Sequence, residues 1–427
     1  MQVLIIGAGI GGLSLALSLH AANIRCRVYE AAPTIEPLGV GINLLPHSVK
    51  ELEDLGLLPA LLAEGIRTAE LMYVSKRGEI VWREPRGLAA GYRWPQISIH
   101  RGHLQRLLLE AVVERIGADN VVTNRRAVRA RTIRGERSGE TRARVDFVRT
   151  DDGGPAPSID ADLAVAADGI HSTLRAQRYP DEGLPVWSGM ILWRGTTIAP
   201  PTRDGATMTI MGTAEQKFVT YPIHQYADGR QLINWIAEIL FDENTLKTPQ
   251  DWNRQGSRKD FLPRFEGWRT GDLDIAELVR NAREIYEYPM SDRNAVDAWT
   301  FGRVALLGDA AHAMYPIGSN GGSQAILDAR RLAHELSMRE SIDEALAAYE
   351  AIRRPAMTAL LAANRAEGPD AVLHVLEQRA PDGYDDLEAV LPLAERQSIA
   401  AQYKLTAGFD VDTLNGSEPL RPRVRAD

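Results

Sequence analysis

Four glycines fall within six residues, Gly7-Ala8-Gly9-Ile10-Gly11-Gly12, between an apolar run from Gln2 to Ile6 and a segment with Leu13, Ala16, Leu17 and His20 at helical spacing. This is a GxGxxG turn in a strand, turn, helix context, and an acid, Glu30, follows at the distance expected of a dinucleotide site. Gly7 permits the tight turn, Gly9 lets the backbone approach a pyrophosphate, and Gly12 lets the helix pack on the strands. The helix start at Ile10 and Gly11 offers free amides, and Glu30 is suited to hold a ribose diol. Glycines punctuate ordinary βα turns too, but four of them together with the acid favour the nucleotide reading. The motif does not separate NAD from FAD. Two other buried runs end in comparable turns: Asp162 to Ala167 leads to Asp168-Gly169, and Val304 to Leu307 leads to Gly308-Asp309. Other chemistries lack their residues. Cys26 is the sole cysteine, so neither a disulfide nor a thiolate metal cage can form within the chain, and a reducing cytoplasm suits it. The 9 histidines are scattered without ligand spacing, so no metal is expected, and Ser14 and Ser323 lack a nucleophile-elbow context.

These turns must be positioned by a chain of 427 residues, long enough for two domains. The spacing of strands and helices predicts an α/β fold, with a Rossmann-like domain and an interleaved, mainly antiparallel β-sheet domain. A C-terminal helical segment completes it. The nucleotide domain is expected in three parts, residues 1–70, 96–182 and 285–365. A hairpin at 71–95, turning at Arg77-Gly78, joins the sheet domain at 183–284, where Met190 to Ile198, Ala206 to Met211 and Leu232 to Ile239 read as short strands. Residues 366–427 form the helical segment. A long helical pattern runs from Ser323 toward Tyr349, Pro355 is expected to interrupt it, and Pro419 to Asp427 are expected to fray. The net charge of -8 gives no general attraction to nucleic acid, and the Arg-rich stretch from Arg125 to Arg144, interrupted by acids and apolar residues, reads as solvated strand faces. The apolar run from Val3 to Leu19 lacks a basic leader and carries the glycines, so neither a signal peptide nor a membrane partner is expected.

Asp168-Gly169-Ile170-His171-Ser172-Thr173-Leu174-Arg175 resembles the DG motif of the para-hydroxybenzoate hydroxylase superfamily, the single-component class A flavoprotein monooxygenases, and Gly308 to Pro316 resembles their GD motif. The three turns in this order form a specific set. Residues 37–43, 98–102, 193–195, 288–290 and 318–321 resemble in particular the phenazine-carboxylate hydroxylases of that superfamily, and the likeness covers residues 1 to about 365. The resemblance implies FAD as cofactor, with NADH or NADPH as transient co-substrate, which agrees with the absence of a second GxGxxG. It implies that O2 is split through a C4a-hydroperoxyflavin, hydroxylating a small electron-rich aromatic or N-heteroaromatic substrate, with loss of CO2 where the attacked carbon carries a carboxylate. Either a monomer or a homodimer would serve.

Residue by residue, the resemblance assigns Asp309 to the ribityl chain of FAD, although a short acid there also suits a helix cap. It assigns Gly308, Pro316, Gly318, Ser319, Asn320 and Gly321 to the flavin-facing loop, where the family's usual Gly-Gln pair is replaced by Asn320-Gly321. It brings Gly41, Ile42 and Asn43 to the opposite edge of the ring and adds Val128 to the cofactor set. Arg101 reads either as a phosphate or ribityl contact or as a surface helix start. Asp168, Gly169 and Arg175 serve both nucleotides in the family, while an Asp168 to Arg175 ion pair bracing the turn is the structural alternative. Electrophilic oxygen requires a dry pocket, for which Trp193, Tyr221, Trp235, Met290 and Tyr315 are the candidate walls, with the hydroxyls of Tyr221 and Tyr315 able to orient substrate beside Pro316. His224 is a weaker candidate for a base and is not assigned that role. Two other readings stand: an FAD halogenase or reductase, for which the Trp-x-Trp-x-x-Ile segment is missing, and a flavoprotein that sequesters an aromatic ligand without turnover.

Overall fold

The computed structural model describes residues 1–37, 39–134, 141–241 and 254–424, so Leu38 of the 37–43 stretch and 425–427 of the tail lie outside the described residues. Gln2–Ile6 is the central strand of a six-stranded sheet, flanked by Leu163–Ala166 and Arg25–Tyr29, with Val304–Leu306 beyond the first and Val121–Val122 beyond the second. These five pair in parallel and Thr300–Phe301 adds an antiparallel edge. Parallel strands covered on both faces must be apolar throughout, as Val3, Leu4 and Ile5 are, each with no exposed surface. The helix Ile10–Ala21 lies close to this sheet because small residues face it: a methyl at Gly12 would sit 2.0 Å from the carbonyl oxygen of Gly7, and one at Gly11 would meet Leu307 at 2.8 Å.

A seven-stranded sheet carries the second layer, in the order Ile285–Asp292, Val186–Ala199, Gln231–Leu240, Gln216–Gln225, Thr207–Gly212, Glu70–Val74, Ile80–Pro85. The hairpin at 70–85 joins it as the sequence suggests, and all neighbours are antiparallel except Thr207–Gly212 with Glu70–Val74. The Arg-rich stretch forms the strands Arg126–Arg134 and Thr141–Val148, whose inward Ala130, Ala143 and Val145 alternate with exposed or half-exposed arginines.

Two expectations are corrected. The break in the long helical pattern falls at 339–341, between Gly321–Met338 and Ile342–Arg365, because Ser341 and Glu344 form a capping box that starts a new helix there. Pro355 sits inside that second helix. It removes one donor, but Leu346, Met357 and Leu360 are packed in the core on either side of it and hold the helix continuous. The tail does not fray before residue 424: Lys50 donates to the Ser417 hydroxyl at 2.9 Å, the Leu420 amide donates to Glu51, and Arg421 binds Asp54 at 2.7 Å. No described helix is long and apolar enough to cross a membrane.

Candidate active site

The three glycine turns converge on one cavity of about 320 Å³. On its nucleotide side, Gly7 adopts φ +110°, and a methyl there would meet the Ala167 carbonyl at 2.3 Å. A methyl on Gly9, by contrast, meets nothing within 4 Å, so the backbone borders open space where a pyrophosphate would approach the helix start at Ile10. Glu30 accepts from the amides of Ala8 at 2.7 Å and Ala32 at 2.8 Å, holding the turn to the next strand. Asp168 accepts from the Thr173 amide at 2.9 Å while its other oxygen has no partner, and burial pushes its carboxyl above the usual range. Gly169, Gly308, Asp309, Pro316, Gly318, Ser319 and Gly321 line the cavity, as do Gly41, Ile42, Asn43 and Arg101 from the facing side. The amide of Gly41 donates to Asn234 Oδ1 at 2.7 Å and Asn43 Nδ2 to the Ser319 hydroxyl at 3.2 Å, so the two rims are tied to the large sheet and to each other. An open cradle of backbone amides, an exposed Asp309 and a flanking Arg101 fit the pyrophosphate, ribityl and ring of FAD.

Local structure bears on three open alternatives. Gly308 caps the helix Asp309–His312 with no side-chain bond, so the Asp309 carboxylate is not spent as a cap and faces the cavity. Arg101 starts the helix Arg101–Ile116 and also lines the cavity, so both of its readings are compatible. Arg175 is 1% exposed and pairs with Glu182 rather than Asp168, and it donates to the carbonyls of Ala310 and Ala311 behind the GD turn. It is a brace.

Behind the same turn, a network absent from the sequence reading holds Gly308 in place. Buried Asp328 accepts from the Gly308 amide at 3.0 Å and binds His312 at 2.5 Å and Arg353 at 2.6 Å. Burial alone would raise its pKa, but the contacts with His312 and Arg353 outweigh that and hold it below the usual carboxylate range. Asn320 is fully buried and turned from the cavity: it donates to the Tyr403 hydroxyl at 2.9 Å. Tyr403, from the C-terminal helix Leu393–Ala407, in turn donates to Asn364 Oδ1 at 2.8 Å and lies so close that a methyl on Gly318 would overlap it at 2.0 Å. The C-terminal segment thus supports the loop from Pro316 to Gly321 and sends Pro369 and Asp370 into the cavity.

The opposite wall is one face of the seven-stranded sheet, bearing Leu71, Tyr73, Met208, Ile210, Lys217, Val219, Tyr221, Ile236, Glu238, Leu192 and Arg194. Parity decides which aromatic residues reach it. Tyr221 pairs with Asn234 and lines the cavity, whereas Trp235 and Trp193 point to the other face, where Trp193 stacks on Phe261 at 5.1 Å and Trp235 donates to Thr197 at 3.1 Å. Both are core. Met290 and Tyr315 pack in the apolar cluster beneath the wall without lining the cavity, and the nearest acceptor of the Tyr315 hydroxyl is the Val186 carbonyl at 3.5 Å. Val128 is 42% exposed on the strand Arg126–Arg134, away from the cavity. His224 contacts the Glu64 carbonyl and does not line it either. The sequence reading missed the charged members, Arg194, Lys217, Glu238 and Asp370. Their signal was present: Lys217 and Glu238 interrupt otherwise apolar strands, and a buried charge needs a partner or a ligand. Lys217 binds Asp370 at 2.6 Å and Glu238 at 3.4 Å. Among the described residues, no cluster could hold a metal ion.

Residues 1–364 match the family model described as an FAD binding domain. The chain is 45% identical over 368 residues to phenazine 1,6-dicarboxylic acid hydroxylase of Lysobacter antibioticus, covering 85% of this chain and 89% of that one. It is 32% identical over 408 residues to 3-amino-4-hydroxybenzoate 2-monooxygenase of Streptomyces platensis, covering 92% and 93%. Among solved structures, that of HpxO of Klebsiella pneumoniae complexed with FAD and uric acid superposes with a TM-score of 0.71 at 25% identity, covering 97% of this chain and 96% of that one.

Proposed function

From the premise that this chain belongs to the FAD-dependent aromatic hydroxylases, we propose that it inserts one oxygen atom of O2 into a small, electron-rich aromatic or N-heteroaromatic carboxylate at the expense of NADH or NADPH. The observation that carries this reading is the single cavity with two unlike walls: a rim of backbone amides and glycines on one side, and apolar, phenolic and charged side chains on the other. When bound, FAD takes hydride from the nicotinamide and supplies activated oxygen from O2.

The residues of the chain bind, orient and exclude water. The amides around Pro316 to Gly321 face the place of the ring and stabilise negative charge there, backed by the start of the helix Gly321–Met338. Leu192, Met208, Ile210, Val219 and Ile236 keep the sheet wall dry, which prolongs the life of activated oxygen. Burial pushes the Tyr221 hydroxyl up to about 12, so it stays protonated at neutral pH and orients substrate as a donor rather than acting as a base. Tyr221 therefore keeps its catalytic assignment, and Tyr315 loses the support of position. The names of the two relatives reported above both describe carboxylated aromatic rings, which supports the substrate class. A cytoplasmic monomer or homodimer suits a site assembled from one chain.

Purified holoprotein should oxidise NADH or NADPH about tenfold faster or more with an accepted aromatic acid, such as phenazine-1,6-dicarboxylate, 3-amino-4-hydroxybenzoate or salicylate, than without it. Mass spectrometry should find the ring hydroxylated, with or without loss of CO2. A protein that binds these acids without accelerated turnover or oxygenated product would be a sequestering flavoprotein.

A further inference from the structure

Two thioethers border the cavity, Met208 and Met314. Met208 stands on the sheet wall, in the strand Thr207–Gly212, beside its parallel partner Leu71. It is 7% exposed, and its sulfur accepts from Asn43 Nδ2 at 3.8 Å. The same amide donates to the Ser319 hydroxyl at 3.2 Å. The sulfur therefore lies where the two walls meet, at the margin of the space that the proposed function gives to the ring of FAD. Met314 belongs to the opposite rim, next to Gly321. Other sulfur groups lie elsewhere: Met72 and Met211 pack in the apolar cluster on the far face of the sheet, Cys26 is in the core of the nucleotide domain, and Met338 is 52% exposed.

A wall that keeps activated oxygen from water does not keep it from sulfur. A thioether is soft and polarizable, and peroxides oxidise it more readily than the phenols and aliphatic groups around it. With no aromatic ring to attack, O2 that takes a hydride from NADH or NADPH and a proton from solvent becomes hydrogen peroxide. A lone pair of sulfur can then attack one oxygen of the peroxide. The O–O bond breaks, the departing hydroxide takes the proton of the transferred oxygen, and it leaves as water. Sulfur is oxidised by two electrons to the sulfoxide, and the peroxide is reduced.

Position favours Met208 at both ends of this step. Peroxide formed in the cavity meets it before dispersing into solution. The product also finds a donor in place, because a sulfoxide oxygen is a stronger acceptor than a thioether and Asn43 Nδ2 already donates to that sulfur. At Met72 or Met211, both almost fully buried, the same oxygen would sit among apolar groups without a partner.

We propose that Met208 is an oxidation site, converted to its sulfoxide by hydrogen peroxide that forms in the cavity when NADH or NADPH is consumed without a substrate. The proposal rests on the reading of the cavity as an oxygen-activating site. The modification puts a polar group into the dry wall and draws Asn43 away from Ser319, so turnover declines as unproductive cycles accumulate.

The test is to incubate the FAD-loaded protein in air with NADH or NADPH and no aromatic acid, with catalase to remove escaped peroxide, and to map the methionines by peptide mass spectrometry. Met208 should gain an oxygen atom about tenfold more often than exposed Met338, whereas peroxide added from outside, without nicotinamide, should oxidise Met338 first. The wild type should also lose about twofold or more of its acid-stimulated rate, and a methionine sulfoxide reductase should restore it. Met208→Leu, which keeps the volume without the sulfur, should lose none of its own. If that variant does not fold, the map and the reductase decide alone. Nicotinamide consumption that leaves Met208 unoxidised, oxygen on Met314 in its place, or no consumption without an aromatic acid would each overturn the proposal. No consumption with phenazine-1,6-dicarboxylate, 3-amino-4-hydroxybenzoate or salicylate either would sink the oxygen-activating reading beneath it as well.

Discussion

The two walls of the cavity are made of different material. The nucleotide wall is backbone: Gly7, Gly9, Gly169, Gly308 and Gly318 set the turns, and the helix starting at Gly321 presents its free amides. The sheet wall is side chain: Arg194, Lys217, Tyr221 and Glu238 act through their tips, on strands that would form equally well with other residues. A backbone site is broken by added atoms, and a side-chain site by the loss of a charged or polar tip. That difference is what substitutions can break or sharpen.

The largest effect is expected at Gly9. Because a methyl there meets nothing within 4 Å, Gly9→Val should fold normally yet fill the place of the pyrophosphate, weakening FAD binding by about a hundredfold or more, read as colourless protein with an unchanged circular dichroism spectrum. Normal flavin content would contradict the placement of the cofactor. On the other wall, Lys217→Met leaves Asp370 and Glu238 buried together without their ammonium and should cost about 3 kcal/mol of stability, measured by urea unfolding of the apoprotein. Glu238→Gln in that background should recover part of the loss. Asp309→Ala removes a ligand group rather than a cap, so FAD affinity should fall about tenfold with the apoprotein Tm little changed. Equal losses would make Asp309 structural.

The smallest effect concerns acid. His47 is buried, bonded to Gln324 at 3.2 Å and stacked on Phe409 at 5.3 Å, and burial, then Arg353 and Lys50, push its pKa down to about 3. The unfolded chain protonates a histidine near pH 6.5 while the folded chain does not, so stability falls as pH drops below about 6.5 and goes on falling toward about 3. Thermal unfolding between pH 7.5 and 5 should show this slope, and His47→Gln should flatten it by a fraction of about 1.4 kcal/mol per pH unit.

The same difference in material governs what was legible in advance. Gly7 to Gly12, Asp168-Gly169 and Gly308-Asp309 were readable because a turn that only glycine can make leaves its mark at fixed spacing. The sheet wall was not, because reading it requires strand parity. Trp193 and Trp235 are large and aromatic, but Arg194 and Tyr221 occupy the cavity face, and a shift of one residue sends a side chain to the far side. Other misses share a cause in distant partners. Arg175 finds Glu182 and the carbonyls beyond Asp309, Asn320 finds Tyr403, and the tail finds the helix Pro46–Asp54, none of which is visible in local pattern. Position along the chain also misled at Pro355, where packing on both sides outweighs one missing donor.

The parallel pairing of Glu70–Val74 with Thr207–Gly212 has a consequence for biosynthesis. The hairpin at 70–85 leaves the ribosome with its own antiparallel partner but with one edge bare, and that edge is covered only once the distant strand has been made. Tyr73 already stacks on Trp82 within the hairpin, but the rest of that apolar face is completed by Val372 and Leu373, which are made later still. Such long-range closure comes late in synthesis, and until it does the free edge of the hairpin is open to pairing with another chain.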